Sequence, residues 1–163
     1  MAMFVAKSCG PLHEVEEFTR MLAGAEVNVA IGLKRLEHSV AYVTKLGTDP
    51  FGTYIENKLK AEGLDVQITK DEDHFTGYQL KGKVLEGDPE VFYYRRNSAA
   101  SCLSVEDIEK VDLEGARVLH ITGIPAALSK SCREATYRLI ERAREKDMLV
   151  SFDPNLRPTL WES

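Results

Sequence analysis

Between Phe18 and Thr69 the hydrophobic period changes repeatedly, and that change constrains the fold more than any other feature of the chain. Phe18 to Ala23 alternates weakly, as a short strand would. Ala23-Gly24-Ala25 is a small-residue turn. Val27, Ala30, Ile31, Leu33 and Leu36 then recur at helical spacing and form one apolar stripe. Asn28 falls in the first turn of that helix, a costly place for asparagine unless it caps or contacts something. Val40 to Val43, with Leu46, reads as a strand closed by Gly47-Thr48-Asp49-Pro50-Phe51-Gly52. Pro50 suits the first turn of a second helix running to about Glu62, which Gly63 ends. Val66 to Thr69 is a further short strand. Strand, helix, strand, helix, strand in that order signals a parallel sheet with crossover helices, an α/β fold.

The same grammar governs the last sixty or so residues. Ser104 opens a short helix with Glu106 and Asp107 in its first turn, a capping arrangement. Arg117 to Gly123 reads as a buried strand. Ser129 to Lys146 is a long amphipathic helix with Cys132, Ala135, Leu139, Ile140 and Ala143 inward. Met148 to Phe152 is a second short apolar run, read as a buried parallel strand. It breaks into Asp153-Pro154-Asn155-Leu156-Arg157-Pro158. Two prolines fix two φ angles there, so Asp153, Asn155 and Arg157 sit on a constrained backbone. In open α/β sheets, ligands bind outside the carboxyl ends of strands. An arginine at that place suits a carboxylate or phosphate, which its planar fork can grip with two parallel bonds. An ordinary strand end with a capping aspartate and a surface arginine fits the residues equally well.

Between these halves the grammar differs. Thr76 to Val84 and Glu90 to Arg96 are two extended runs joined by Glu86-Gly87-Asp88-Pro89, which reads as a hairpin turn. Alternation places Tyr93 and Arg95 on one face, and Tyr94 and Arg96 on the other. Such a ribbon suits a lid over a polar ligand. An exposed edge ribbon, where tyrosine and arginine are also common, is the plainer reading of the residues alone.

Composition excludes several classes. A length of 163 residues fits one domain, alone or with a small appendage. The net charge of -5 argues against a nucleic-acid-binding surface. No apolar run approaches the roughly 20 residues of a membrane span, and MAMFVAKSCG makes a poor signal peptide. Cys9, Cys102 and Cys132 are odd in number and have no metal-binding spacing, which favours free thiols in a reducing cytoplasm. The four histidines, His13, His38, His74 and His120, are scattered, so structural or surface roles are expected for them.

Four segments together carry a resemblance to the ribokinase-like (PfkB) sugar kinases, and within them to the 2-keto-3-deoxygluconate kinases. Ala23-Gly24-Ala25-Glu26-Val27-Asn28-Val29-Ala30 is similar to the family's GGAxxNxA turn and helix, with the first glycine replaced by alanine. Lys45-Leu46-Gly47-Thr48-Asp49-Pro50-Phe51-Gly52 is similar to its KLGxDxFG strand end. Phe92-Tyr93-Tyr94-Arg95-Arg96-Asn97-Ser98-Ala99-Ala100-Ser101 resembles the YYRxxSAA lid segment of that branch. Asp153-Pro154-Asn155-Leu156-Arg157-Pro158, followed by Leu160-Trp161, resembles its DPNLRPxLW.

The resemblance implies a ribokinase-like, Rossmann-like parallel sheet flanked by helices. A small antiparallel β lid would be formed by residues of about 11–23 and 75–98. It implies ATP-dependent phosphorylation of a sugar acid, with Mg2+ as the companion ion. The substrate would be held by Gly24, Asn28, Tyr93, Arg95, Asn155 and Arg157. The branch often has a tyrosine shortly after the Thr-Gly of its first lid strand; here Thr76-Gly77 is followed by Tyr78 and Gln79, so this tyrosine is expected to face elsewhere. The family runs to roughly twice this length, and its GAGD motif, with the catalytic aspartate, lies in the half not represented. The chain is therefore expected to be an incomplete kinase domain with no catalytic residue of its own, Asp153 and Asp49 serving loop structure. By the same analogy, a homodimer through the lid is expected, with no nucleic-acid or membrane partner.

Overall fold

The computed structural model describes residues 1–156 and 160. Its eight strands and five helices are β1 (Ala2–Ala6), β2 (Phe18–Leu22), α1 (Ala25–Arg35), β3 (Ala41–Gly47), α2 (Pro50–Ala61), β4 (Asp65–Asp71), β5 (Tyr78–Lys81), β6 (Val91–Tyr94), α3 (Val105–Glu109), β7 (Val118–Thr122), α4 (Gly123–Leu128), α5 (Lys130–Glu145) and β8 (Leu149–Asp153). Single 3-10 turns occupy Leu12–Glu14 and Ala99–Cys102.

The α/β architecture follows from two parallel units. β3 and β4 pair in parallel, from Ala41 beside Asp65 to Gly47 beside Asp71, with α2 as the crossover. β7 and β8 pair in parallel, from Val118 beside Leu149 to Thr122 beside Asp153, with α4 and α5 between them. Among the described residues these remain two separate ladders. The third sheet has four strands in the order β2-β1-β5-β6, antiparallel except where β1 runs parallel to β5.

Two cores hold the layers together. Ala2, Val27, Ala30, Leu46, Ile55, Leu59 and Leu64 form one, with Phe4, Phe51 and Tyr78 packed against it. Ile108, Val111, Leu113, Ala135, Ala143 and Met148 form the other under α5. Val43 of β3 packs on this second cluster, so the two parallel units share a boundary.

Local chemistry explains the helix ends. Asp49 caps α2: its Oδ1 accepts from Phe51 N at 2.8 Å and Gly52 N at 2.9 Å, and Pro50 takes the first helical position. Ser104 and Asp107 form a reciprocal capping box on α3. Ser129 caps α5 through Cys132 N.

Several sequence expectations need correction. Phe18–Leu22, counted with the parallel strands on periodicity and within the lid segment 11–23 on the resemblance, pairs antiparallel with β1, and both strands belong to the four-stranded sheet with the ribbon. Period-2 alternation identifies a strand but not its partner. The ribbon strands are shorter than expected and are joined by residues 82–90 rather than by a tight turn, with Gly82 N donating to Glu90 O at 2.8 Å. The α1 stripe fails at its end. Leu36 is 70% exposed because the helix stops at Arg35 and Glu37 turns to positive φ. β8 is not a buried strand: Leu149 is 67% and Phe152 57% exposed, since β8 pairs with β7 alone among the described strands. Val118 at the start of β7 is likewise exposed, and burial begins at Ile121 and Thr122. Helix α4 was not expected; Thr122 starts it by accepting from Ile124 N.

Candidate functional site

The candidate residues lie at the base of the four-stranded sheet, the first turn of α1, and the carboxyl ends of β7 and β8. Specific bonds tie these places together. Ala23 N donates to Met1 O at 3.0 Å, fixing the turn before α1 against the start of β1. Ala2 N donates to Gly77 O at 3.2 Å, fixing β1 against the start of β5. Thr122 Oγ1, at the end of β7, donates to the carboxylate of Glu26 in the first turn of α1. Asp153 sits beside Thr122 in the β7–β8 ladder. The segments that resemble the sugar-binding turn, the lid and the DPN loop are thus joined through a short run of contacts.

Gly24 precedes α1 with φ +151° and ψ 138°, a conformation that side chains with a Cβ rarely adopt. Glycine at this place leaves the backbone open to close approach. Asn28 lies one turn further on and its side chain is exposed; its backbone N–H bonds Gly24 O at 3.1 Å. The amide of Asn28 is therefore presented to solvent rather than used as a cap.

Tyr93 and Arg95 come together as alternation requires: the Arg95 guanidinium lies 4.2 Å from the Tyr93 ring centroid. Arg95 falls just past the end of β6 and is mostly buried. The backbone behind it is braced, with Ser98 Oγ donating to Arg95 O at 2.7 Å. Tyr78 faces the opposite side of the sheet. It stacks on Tyr94 at 4.7 Å and meets Phe51 edge-on at 5.7 Å, as part of an aromatic cluster on α2.

At the β8 end, Asn155 adopts φ +39°, a region that asparagine tolerates better than most residues. Its N–H donates to Asp153 Oδ1 at 2.9 Å and its Nδ2 to Oδ2 at 3.3 Å, so both carboxylate oxygens of Asp153 are engaged in the loop. The Oδ1 of Asn155 is buried and has no partner among the described residues. Arg157, with Pro158 and Trp161 of the same segment, lies outside the described residues.

A buried ionic cluster ties β3 to α3 and the end of β4. Lys45 Nζ, at the end of β3, contacts Asp107 Oδ2 at 3.0 Å, Cys102 O at 3.3 Å and Asp71 Oδ2 at 3.8 Å. Burial pushes the Asp107 carboxyl up, but the bonds from Lys45 and Ser104 outweigh it and hold the group below the usual carboxylate range. Asp49 behaves alike: burial raises it, and the N–H groups of Thr76, Gly52 and Phe51 pull it lower. The Asp49 side chain ties α2 to the segment before β5, through Thr76 N at 2.6 Å. These groups were legible as loop and cap residues, but their joint role needed the folded chain. His120, for which a structural or surface role is expected, has Nδ1 3.1 Å from Ser151 Oγ, and its Nε2 is buried without a partner among the described residues.

Among the described residues, no group of three or more His, Cys, Asp or Glu is placed to hold a metal ion.

Comparison with known proteins agrees with this architecture. The sequence profile of the pfkB family carbohydrate kinases matches residues 1–163, and the chain belongs to that family. It is 48% identical to a 2-dehydro-3-deoxygluconokinase of Bacillus subtilis over 99% of this chain and 50% of that protein. It is 34% identical to fructokinase-1 of Zea mays over 93% of this chain and 47% of that protein. A sugar kinase of Pyrococcus horikoshii solved in complex with ATP superposes with a TM-score of 0.87 at 29% identity, covering 99% of this chain and 52% of that one. The chain spans about half the length of the curated relatives it matches.

Proposed function

We propose that this chain supplies the sugar-holding half of an ATP-dependent carbohydrate kinase that phosphorylates 2-keto-3-deoxygluconate, also called 2-dehydro-3-deoxygluconate. The observation that carries this is the Tyr93–Arg95 pair on one face of the four-stranded sheet, with the cation 4.2 Å from the ring. A neutral sugar needs no guanidinium there, whereas a sugar acid presents a carboxylate that one can bind. The 48% identity to a 2-dehydro-3-deoxygluconokinase supports the same substrate.

Each residue has a chemical task. Gly24 lets the backbone approach the sugar, and Asn28 donates to and accepts from hydroxyls. Tyr93 and Arg95 close over the sugar from the four-stranded sheet, with Arg95 toward the carboxylate. Asn155 shapes the β8 loop, and Arg157 faces the carboxylate or the transferring phosphate. The proton-accepting base and the greater part of the ATP and Mg2+ site come from the half of the family's length that this chain does not span. Positioning and charge neutralisation are the larger part of phosphoryl transfer, so a half that holds the sugar has a defined role. The protein works in the cytoplasm, as a homodimer through the four-stranded sheet.

A second reading, phosphorylation of an uncharged hexose, is favoured by the 34% identity to fructokinase-1. A third is a non-catalytic sugar-acid binder that keeps the pocket without the chemistry. A coupled assay with ATP, magnesium and 2-keto-3-deoxygluconate separates these, run on this chain and on a form extended to the length of its relatives. Turnover in the extended form alone supports the proposal. Turnover of fructose instead supports the second reading. Binding without turnover in both supports the third.

A further inference from the structure

We propose that Glu26 is a positioning residue of this site: by accepting from Thr122 Oγ1, its carboxylate sets the turn of residues 24–28 against the β8 loop of Asn155, so that both act on one sugar. This rests on the sugar-holding reading above and deepens it. β7 and β8 form a ladder of their own, so no strand pairing fixes where their carboxyl ends stand relative to α1. Among the described residues, the bond from Thr122 to Glu26 is the hydrogen bond that joins α1 to this ladder. Both partners are suited to it. Glu26 is the second residue of α1, where the partial positive charge of the helix start favours a carboxylate. Thr122 is the last residue of β7, is 1% exposed, and stands beside Asp153 in the register. Both oxygens of Asp153 in turn hold Asn155. One run of contacts thus leads from the turn before α1 to the loop after β8.

The chemistry of the pair is more specific than packing requires. Thr122 Oγ1 already accepts from Ile124 N at 3.2 Å, which starts α4. Its own proton needs one acceptor, and Glu26 supplies it. A part-buried carboxylate loses solvation, a cost that an alanine at residue 26 would not carry. What the bond holds in place accounts for the carboxylate. On one side is Gly24 at φ +151°, whose backbone is open to close approach. On the other is Asn155, whose Oδ1 is buried and has no partner among the described residues. Buried acceptors are ordinarily paired, so this oxygen marks the β8 loop as a place for an incoming donor such as a sugar hydroxyl. The two contacts serve the same sugar only while their separation is fixed, and Glu26 with Thr122 fixes it.

The test is titration calorimetry of 2-keto-3-deoxygluconate into the wild-type chain and its variants, each well below its melting midpoint, with a melting curve for each. Glu26→Ala removes the link and leaves the Thr122 cap of α4 in place; it is expected to weaken binding about tenfold. Glu26→Gln keeps an acceptor for Thr122 Oγ1, and Thr122→Ser keeps the hydroxyl, so both are expected to bind within about twofold of wild type. Ser104→Ala, which removes the cap of α3, is the control for lost stability alone. It should melt lower and keep its affinity. Affinity of Glu26→Ala within about twofold of wild type overturns the proposal. So does Glu26→Gln binding as weakly as Glu26→Ala, which would assign the effect to charge instead of the hydrogen bond. Equal losses of affinity in Ser104→Ala and Glu26→Ala would assign it to stability and overturn it too. If wild type binds fructose but not the sugar acid, and Glu26→Ala loses the fructose while Glu26→Gln keeps it, the sugar-acid reading fails and the positioning role stands. If wild type binds neither sugar, both fall.

Discussion

Gly52→Ala is a severe test of how α2 is seated. Gly52 is the third residue of that helix, where alanine should be favoured by about 1 kcal/mol on helix propensity alone. The surroundings oppose it. A Cβ at Gly52 would lie 2.0 Å from Gly47 O and 2.9 Å from Thr76 Oγ1. Ordinary carbon–oxygen contacts are no closer than about 3.3 Å, so the helix or the Gly47 carbonyl must move by more than an ångström. Neither is free to do so. Gly47 N is bonded to Thr76 Oγ1, Thr76 N is bonded to Asp49, and a Cβ at Gly47 would itself meet His74 O at 2.6 Å. Overpacking of this kind costs about 3 kcal/mol, which exceeds the propensity gain. The net loss is about 2 kcal/mol, or about 4–8 °C in melting temperature. Gly32→Ala is the control, because a Cβ in the middle of α1 meets nothing within 4 Å. It is expected to stabilise by about 0.5–1 kcal/mol. Urea unfolding of both variants is the assay. Gly52→Ala at or above wild-type stability would refute the steric argument.

Other expectations follow from the site and its supports. Gly24→Ala must force a Cβ residue to φ +151°, so it should weaken sugar-acid binding and lower the melting temperature together; a neutral result would remove the backbone argument. The carboxyls of Asp49, Asp71 and Asp107 are held below their ordinary range, so the folded chain keeps them ionised further into acid than the unfolded chain does. The stability they contribute is complete at neutral pH and declines as pH falls below about 4. Asp107→Asn should flatten part of that decline in urea titrations at successive pH values, and an unchanged acid slope would contradict it. Arg95→Ala and Arg157→Ala should each weaken sugar-acid binding at least tenfold, about 1.4 kcal/mol, while unchanged affinity would remove that arginine from the site.

Much of the fold was legible because it is written in local chemistry. Asp49-Pro50 marks the start of α2, Ser104 and Asp107 the start of α3, and Gly63, at φ +77°, the end of α2. These signals act within a few residues and need no tertiary context. What escaped reading depends on partners far along the chain. Nothing in Met3-Phe4-Val5-Ala6 says that it lies between β2 and β5. The apolar run of β8 resembles a buried strand because sequence shows composition, not neighbours, and Phe152 remains exposed. The pairing of Tyr93 with Arg95 was legible from alternation alone. Lys45 reaching Asp107, across sixty or so residues, could be seen only once β3 and α3 were brought together.

Whether the site prefers a sugar acid to a neutral sugar decides the proposed substrate. Titration calorimetry of this chain with 2-keto-3-deoxygluconate and with fructose at equal ionic strength is the measurement. Saturable binding of the acid is expected, at least tenfold tighter than fructose and weakened by salt, because the proposed site sets Arg95 and Arg157 against its carboxylate. Equal or tighter binding of fructose would contradict it.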